Sequence, residues 1–164
     1  MPTAYLLLGS NLGDRTATLQ AAVAELGRTA GPVRATSGVY ETAAWGLTEQ
    51  PAFLNQALEI QTNLSPAQLL AVCLAAEQHA GRQRLVRWGS RTLDVDILLY
   101  DDLVLDTPTL QLPHPRLPER RFALLPLAEI AATLVHPGLG CTVAELLAEC
   151  SDELAVTRVN GEPR

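Results

Sequence analysis

The chain has no lysine: all twelve of its Lys and Arg positions are arginines, in 164 residues. That absence excludes Schiff-base chemistry and the lysine of a GxxxxGK[ST] phosphate loop, so any phosphate must be held by guanidinium forks, backbone amides or a metal. Cysteine is scarce too. Cys73, Cys141 and Cys150 are odd in number and too sparse for a disulfide framework, and no CxxC or Cys/His cluster suggests zinc. They read as reduced, structural thiols. No stretch approaches the roughly 20 apolar residues of a membrane span, and the opening MPTAYLLLGS lacks a cationic start before its brief apolar run. The expectation is a soluble, cytoplasmic protein with no membrane partner. A formal net charge of −6 argues against a broad nucleic-acid footprint.

What is present fits one domain, 1–164, with a real core, since a chain of about 150 residues buries roughly two-thirds of its unfolded surface. AYLLLGS (4–10) reads as a buried strand, and Asp14 caps a helix through about Arg28 with Leu19, Ala22, Val23 and Leu26 at helical spacing. VRATSGVYET reads as a second strand and FLNQALEIQT as a third. SPAQLLAVCLAAEQHAG is a helix that opens on a Ser-Pro cap and stops at Gly81. An arginine-rich loop, 82–91, leads to a strand over 92–100; the segment from Pro113 is irregular and then helical, and TVAELLAEC forms a short last helix. The order βαββαβ predicts an α+β, ferredoxin-like sandwich: an antiparallel sheet with helices on one face and the active site on the other.

The most informative stretch is RWGSRTLDVDILLY, 87–100. Side chains at i and i+2 of a strand share a face, with Cα atoms about 6.6 to 6.8 Å apart. Asp94 and Asp96 therefore project together, while Leu93, Val95 and Ile97 face the helices. Paired carboxylates suit Mg²⁺, and two such ions about 3.5 to 4 Å apart serve in-line phosphoryl chemistry. A bare DxD more often decorates a solvated sheet face, so the pair alone leaves both readings open. Seven of the twelve arginines crowd between Arg82 and Arg121, however, and Trp88 lies among them. Guanidinium forks and an aromatic plane beside an acid pair suit a polyphosphate attached to a heterocycle.

RWGSRTLDVDILLY, together with LGSNLGDR, VYETAAWG, QPAFLNQALEI and LPHPRLPERRFALLPLAEI, resembles the 6-hydroxymethyl-7,8-dihydropterin pyrophosphokinases of folate biosynthesis, in order over about residues 4 to 140. The resemblance implies transfer of the pyrophosphoryl group of ATP to the pterin hydroxymethyl oxygen, with release of AMP and the use of two Mg²⁺. On the matching positions it makes Asp94 and Asp96 the metal ligands and Arg82 and Arg91 the catalytic cations. ATP would meet Glu77, Arg84, Trp88, Ile97, His114 and Arg120. The pterin would meet Thr42, Ala43, Trp45, Phe53, Asn55, Trp88 and Phe122. ATP and the pterin are then the partners of a monomer. Leu74, Pro115 and Trp45 depart from the pattern of some relatives, which bears on the adenine contacts and pocket shape. The alternative is another two-metal nucleotidyl or phosphoryl transferase built on the same acid pair.

Overall fold

The computed structural model describes residues 1–42, 52–81 and 92–159. Its chain runs β1 (Thr3–Ser10), α1 (Arg15–Thr29), β2 (Val33–Thr36), β3 (Tyr40–Thr42), β4 (Phe53–Gln61), α2 (Pro66–His79) and β5 (Asp94–Tyr100). A small hairpin of β6 (Leu105–Asp106) and β7 (Gln111–Leu112) follows, then a 3₁₀ turn, α3 (Arg121–Ala131), α4 (Val143–Glu149) and β8 (Val156–Arg158). The expected strand over 92–100 thus starts at Asp94.

Strand β1 is almost wholly buried because both of its faces are apolar: Ala4, Leu6 and Leu8 look one way, Tyr5 and Leu7 the other. Such a strand has to be internal, and β4 and β5 flank it, both antiparallel. The order across the sheet is β5-β1-β4-β3-β8, with β2 pairing β4 beyond the short β3. Helices α1 and α2 cover the first face, setting Leu19, Ala22, Leu26, Leu69, Cys73 and Ala76 on Leu6, Leu8, Leu58, Ile60, Val95 and Ile97. Both start on side-chain caps. The Asp14 carboxylate accepts from the Ala17 N–H at 3.0 Å, and Ser65 and Gln68 form a reciprocal capping box behind Pro66.

Two expectations need correction. VRATSGVYET is two strands, because Ser37 breaks the ladder: its N–H donates to Ala57 O at 2.9 Å while its Oγ accepts from the Ala57 N–H at 2.9 Å. One residue thus occupies both backbone groups of its partner, and β2 and β3 meet β4 as separate pieces. The helices are also not confined to one face. Helices α3 and α4 pack Leu124, Leu127, Val143 and Leu146 over Tyr5, Leu7 and Leu99 on the second face. That face carries its own alternate aliphatics, which would otherwise meet water. Leu98 is an extra residue where the β1–β5 register shifts, and it too turns to the second face. What α3 and α4 leave for a site is the end of that face where β4 and β5 begin.

Candidate active site

One row of residues crosses the sheet at that end. Tyr40 pairs with Asn55, Asn55 with Gly9, and Gly9 with Asp94. Directly opposed residues share a face. Phe53 and Thr42 pair on the same side one step further along β4, and Asp96 stands opposite Leu7 one step the other way. Thr42, Phe53, Asn55, Asp94 and Asp96, five of the residues singled out from sequence, are thus brought onto one surface. Asn55 and Asp94 stand two strand spacings apart, about 10 Å.

Gly9 and Tyr40 are the members of this row that the sequence reading missed. A Cβ at Gly9 would fall 2.8 Å from Asn55 Nδ2 and 3.7 Å from a Phe53 ring carbon. The missing side chain lets the Asn55 amide lie across β1, where its Nδ2 donates to Leu8 O at 3.2 Å. A glycine inside an otherwise apolar strand was the available signal, since it marks a close approach. Asn55 Oδ1 and Thr42 Oγ1, both on this face, are buried without a hydrogen-bond partner among the described residues. Buried polar atoms in folded proteins are normally paired, so an unpaired set on one surface marks a place suited to a polar ligand edge.

The acid pair has cationic and neutral nitrogen neighbours. Burial pushes the His114 imidazole below its usual pKa, the Asp96 charge opposes this, and Arg120 and Arg116 add to the lowering. Its Nδ1 accepts from the Arg116 N–H at 3.1 Å, so the neutral ring keeps its proton on Nε2, as a donor. Burial likewise lowers Arg120, with Asp96 pulling the other way. A guanidinium stays charged at any working pH even so. The Arg120 guanidinium carbon lies 5.5 Å from the centroid of Phe122, a cation–π distance that ties the arginine to the first turn of α3.

Along the outer edge of β5 runs an open cavity of about 630 Å³, between Val95, Asp96 and Ile97 on one side and the β6–β7 hairpin with His114 and Pro115 on the other. Ile97 itself is 4% exposed and points into the α1/α2 core, so only its edge reaches the cavity wall. Leu74 is exposed on α2 and does not line this cavity. Glu77 is buried against the same edge, and its Oε2 accepts the Val95 N–H at 2.8 Å. Beneath it, burial first, then the Glu77 and Asp96 charges, push the Cys73 thiol up to about 12, in keeping with an inert core cysteine. Glu77→Ala is expected to cost about 1–3 kcal/mol by stranding that amide. Urea denaturation checks this, and an unchanged midpoint would rule out a bracing role for the carboxylate.

Ala43, Trp45, Arg82, Arg84, Trp88 and Arg91 lie outside the described residues. Among the described residues no group of three or more His, Cys, Asp or Glu side chains is placed to hold a metal. The two residues that the sequence singles out for a metal, Asp94 and Asp96, are both described and stand two apart on one face of β5.

Residues 5–132 match the family model for 7,8-dihydro-6-hydroxymethylpterin-pyrophosphokinase, HPPK. The chain belongs to this family. It is 48% identical over 160 residues to the 2-amino-4-hydroxy-6-hydroxymethyldihydropteridine pyrophosphokinase of Methylorubrum extorquens, covering 97% of this chain and 99% of the relative. It is 49% identical over 128 residues to the enzyme of the same name from Bacillus subtilis, covering 77% of each. A crystal structure of Plasmodium falciparum HPPK-DHPS with pteroate superimposes with a TM-score of 0.73 at 16% identity, over 90% of this chain. The chain spans 42% of that longer protein, and the likeness is one of fold. The HPPK match holds every described member of the row and ends before α4 and β8.

Proposed function

We propose that this HPPK-family chain transfers the pyrophosphoryl group of ATP to 6-hydroxymethyl-7,8-dihydropterin, releasing AMP, in folate biosynthesis. Two curated relatives of the chain carry that activity in their names. The observation that carries the reading is the shared row: a carboxamide and a carboxylate on one sheet face, about 10 Å apart across a glycine, with a second carboxylate one step along. That span suits a substrate whose flat ring is read at Asn55 and whose hydroxymethyl group reaches toward phosphate held at Asp94 and Asp96.

In this reading Asn55 Oδ1 and Thr42 Oγ1 pair with the pterin edge, and Phe53 and Phe122 offer its two ring faces. Asp94 and Asp96 fit Mg²⁺, which is commonly held by one or two carboxylates together with substrate phosphates. Bound there, two such ions supply neutralisation of the triphosphate charge. His114 donates from Nε2, and Arg120 adds a fixed positive charge beside the phosphates. Arg82 and Arg91 are the cations at the transferred group, while Arg84 and Trp88 cover the nucleotide. Glu77 acts on the nucleotide side through the edge of β5. The hydroxymethyl oxygen attacks the β-phosphorus, the bond from that phosphorus to the α,β-bridging oxygen breaks, AMP leaves, and the hydroxyl proton passes to solvent. We also read α1, α2 and the β5-β1-β4-β3 order as a ferredoxin-like core in a single, monomeric domain, extended by α3, α4 and β8.

The test is product analysis with ATP, Mg²⁺ and the hydroxymethylpterin. AMP and the pterin diphosphate are expected in equal amounts, with no ADP. ADP formation, or loss of ATP without pterin, would sink the assignment.

A further inference from the structure

Helix α3 carries Phe122 on its first turn, and polar clamps fasten both of its ends. At the start, the Arg121 backbone N–H donates to Asp152 Oδ2 at 3.1 Å, its Nε to Asp152 O at 3.1 Å, and its Nη2 to Cys150 O at 2.9 Å. Near the end, the Glu129 carboxylate gathers three partners. The Tyr40 hydroxyl donates to Oε1 at 2.6 Å, and the Gly38 N–H lies 3.2 and 3.0 Å from the two oxygens. Arg158 Nη2 is 3.5 Å from Oε2.

These partners are not scattered. Tyr40 pairs with Asn55 in the site row, and Arg158 pairs with Tyr40 across the β3–β8 ladder. Glu129 follows Phe122 by about two helical turns, so both side chains descend from the same side of α3. Gly38 leaves room for the arrangement: a Cβ there would come within 2.7 Å of Arg158 Nε and Nη2. One carboxylate thus joins the helix that bears one aromatic face of the site to the strand beside the amide that reads the substrate edge. Charge-assisted hydrogen bonds are short and directional, which suits them to fixing a spacing.

We propose that Glu129 is a positioning residue of the pterin pocket: through Tyr40, Gly38 and Arg158 it sets the separation between Phe122 on α3 and the Tyr40–Asn55–Gly9 row of the sheet. The proposal rests on the reading of Phe122 and Asn55 as pterin contacts. A flat ring held between a helix and a sheet tolerates little change in that gap, since a displacement of about 1 Å can cost about a hundredfold in rate. Nucleotide contacts along the β5 edge are on the far side of β1 from this clamp, and so are spared.

The test uses the full chain and steady-state kinetics with each substrate varied in turn. Glu129→Gln keeps the shape and removes the charge; it is expected to raise KM for the pterin about tenfold, with KM for ATP within about twofold of wild type. Tyr40→Phe, which deletes one hydroxyl, is expected to give a smaller rise with the same selectivity. It decides the matter alone should Glu129→Gln fail to fold. Asn55→Leu in the same assay separates two failures. If it raises the pterin KM and the clamp variants do not, Glu129 has no positioning role. If it too leaves the pterin KM unchanged, the pocket assignment falls and the proposal with it. An equal rise in both KM values would mark Glu129 as a structural residue only and overturn the proposal.

Discussion

Asp96→Asn is expected to lower kcat/KM by about a thousandfold or more, roughly 4 kcal/mol of transition-state stabilisation. The substitution keeps the size of the side chain and its place opposite Leu7, so the fold should survive. It alters three things at once. The amide oxygen is a weaker, neutral ligand for a hard cation. An NH₂ group enters beside two nitrogen donors, where the carboxylate had been an acceptor only. The negative charge that opposes the lowering of His114 and Arg120 disappears. Steady-state kinetics at saturating Mg²⁺, with circular dichroism to confirm folding, measures the effect. A folded variant within about tenfold of wild type would remove Asp96 from the chemistry.

Asn55→Leu is the second large effect, and it acts on the other substrate. Asn55 is buried, gives Nδ2 to Leu8 O, and has its Oδ1 unpaired among the described residues. Leucine has a similar volume and no polar atom, so packing against Phe53 and over Gly9 is roughly kept. A site built to hydrogen-bond its substrate loses discrimination steeply when one polar partner goes, because the substrate's own groups are then buried unpaired. We expect kcat/KM for the pterin to fall by about a hundredfold, while binding of an ATP analogue, followed by calorimetry, is unchanged. Weaker analogue binding to the same degree would show that Asn55 supports the whole fold instead of one pocket.

Much of this arrangement was legible in the residues. The alternation in DVDILLY separated Asp94 and Asp96 from Val95 and Ile97, and the structure places the two sets on opposite faces. The capped starts of α1 and α2 are local signals carried by a few side chains, and both were read correctly. Legibility failed where a long-range partner decides. Ser37 splits a strand by occupying both backbone groups of Ala57, a contact twenty residues away that no local period reveals. The covered second face follows from Tyr5 and Leu7, which a strand buried on one side would not need, but only the fold says that α3 and α4 meet them. Gly9 was readable in principle as a glycine in a strand. Its purpose, room for the Asn55 amide, required the β1–β4 register. Glu129 gave no sequence signal, since an acid on an amphipathic helix ordinarily faces water.

The central claim is that Asp94 and Asp96 hold divalent metal and nucleotide together at the β5 end of the row. The most direct measurement is electron paramagnetic resonance titration of Mn²⁺ with a non-hydrolysable ATP analogue, on the wild-type chain and on Asp94→Ala and Asp96→Ala. About two bound Mn²⁺ per wild-type chain are expected, with at least one lost in each variant. Unchanged stoichiometry and affinity in both variants would contradict the claim.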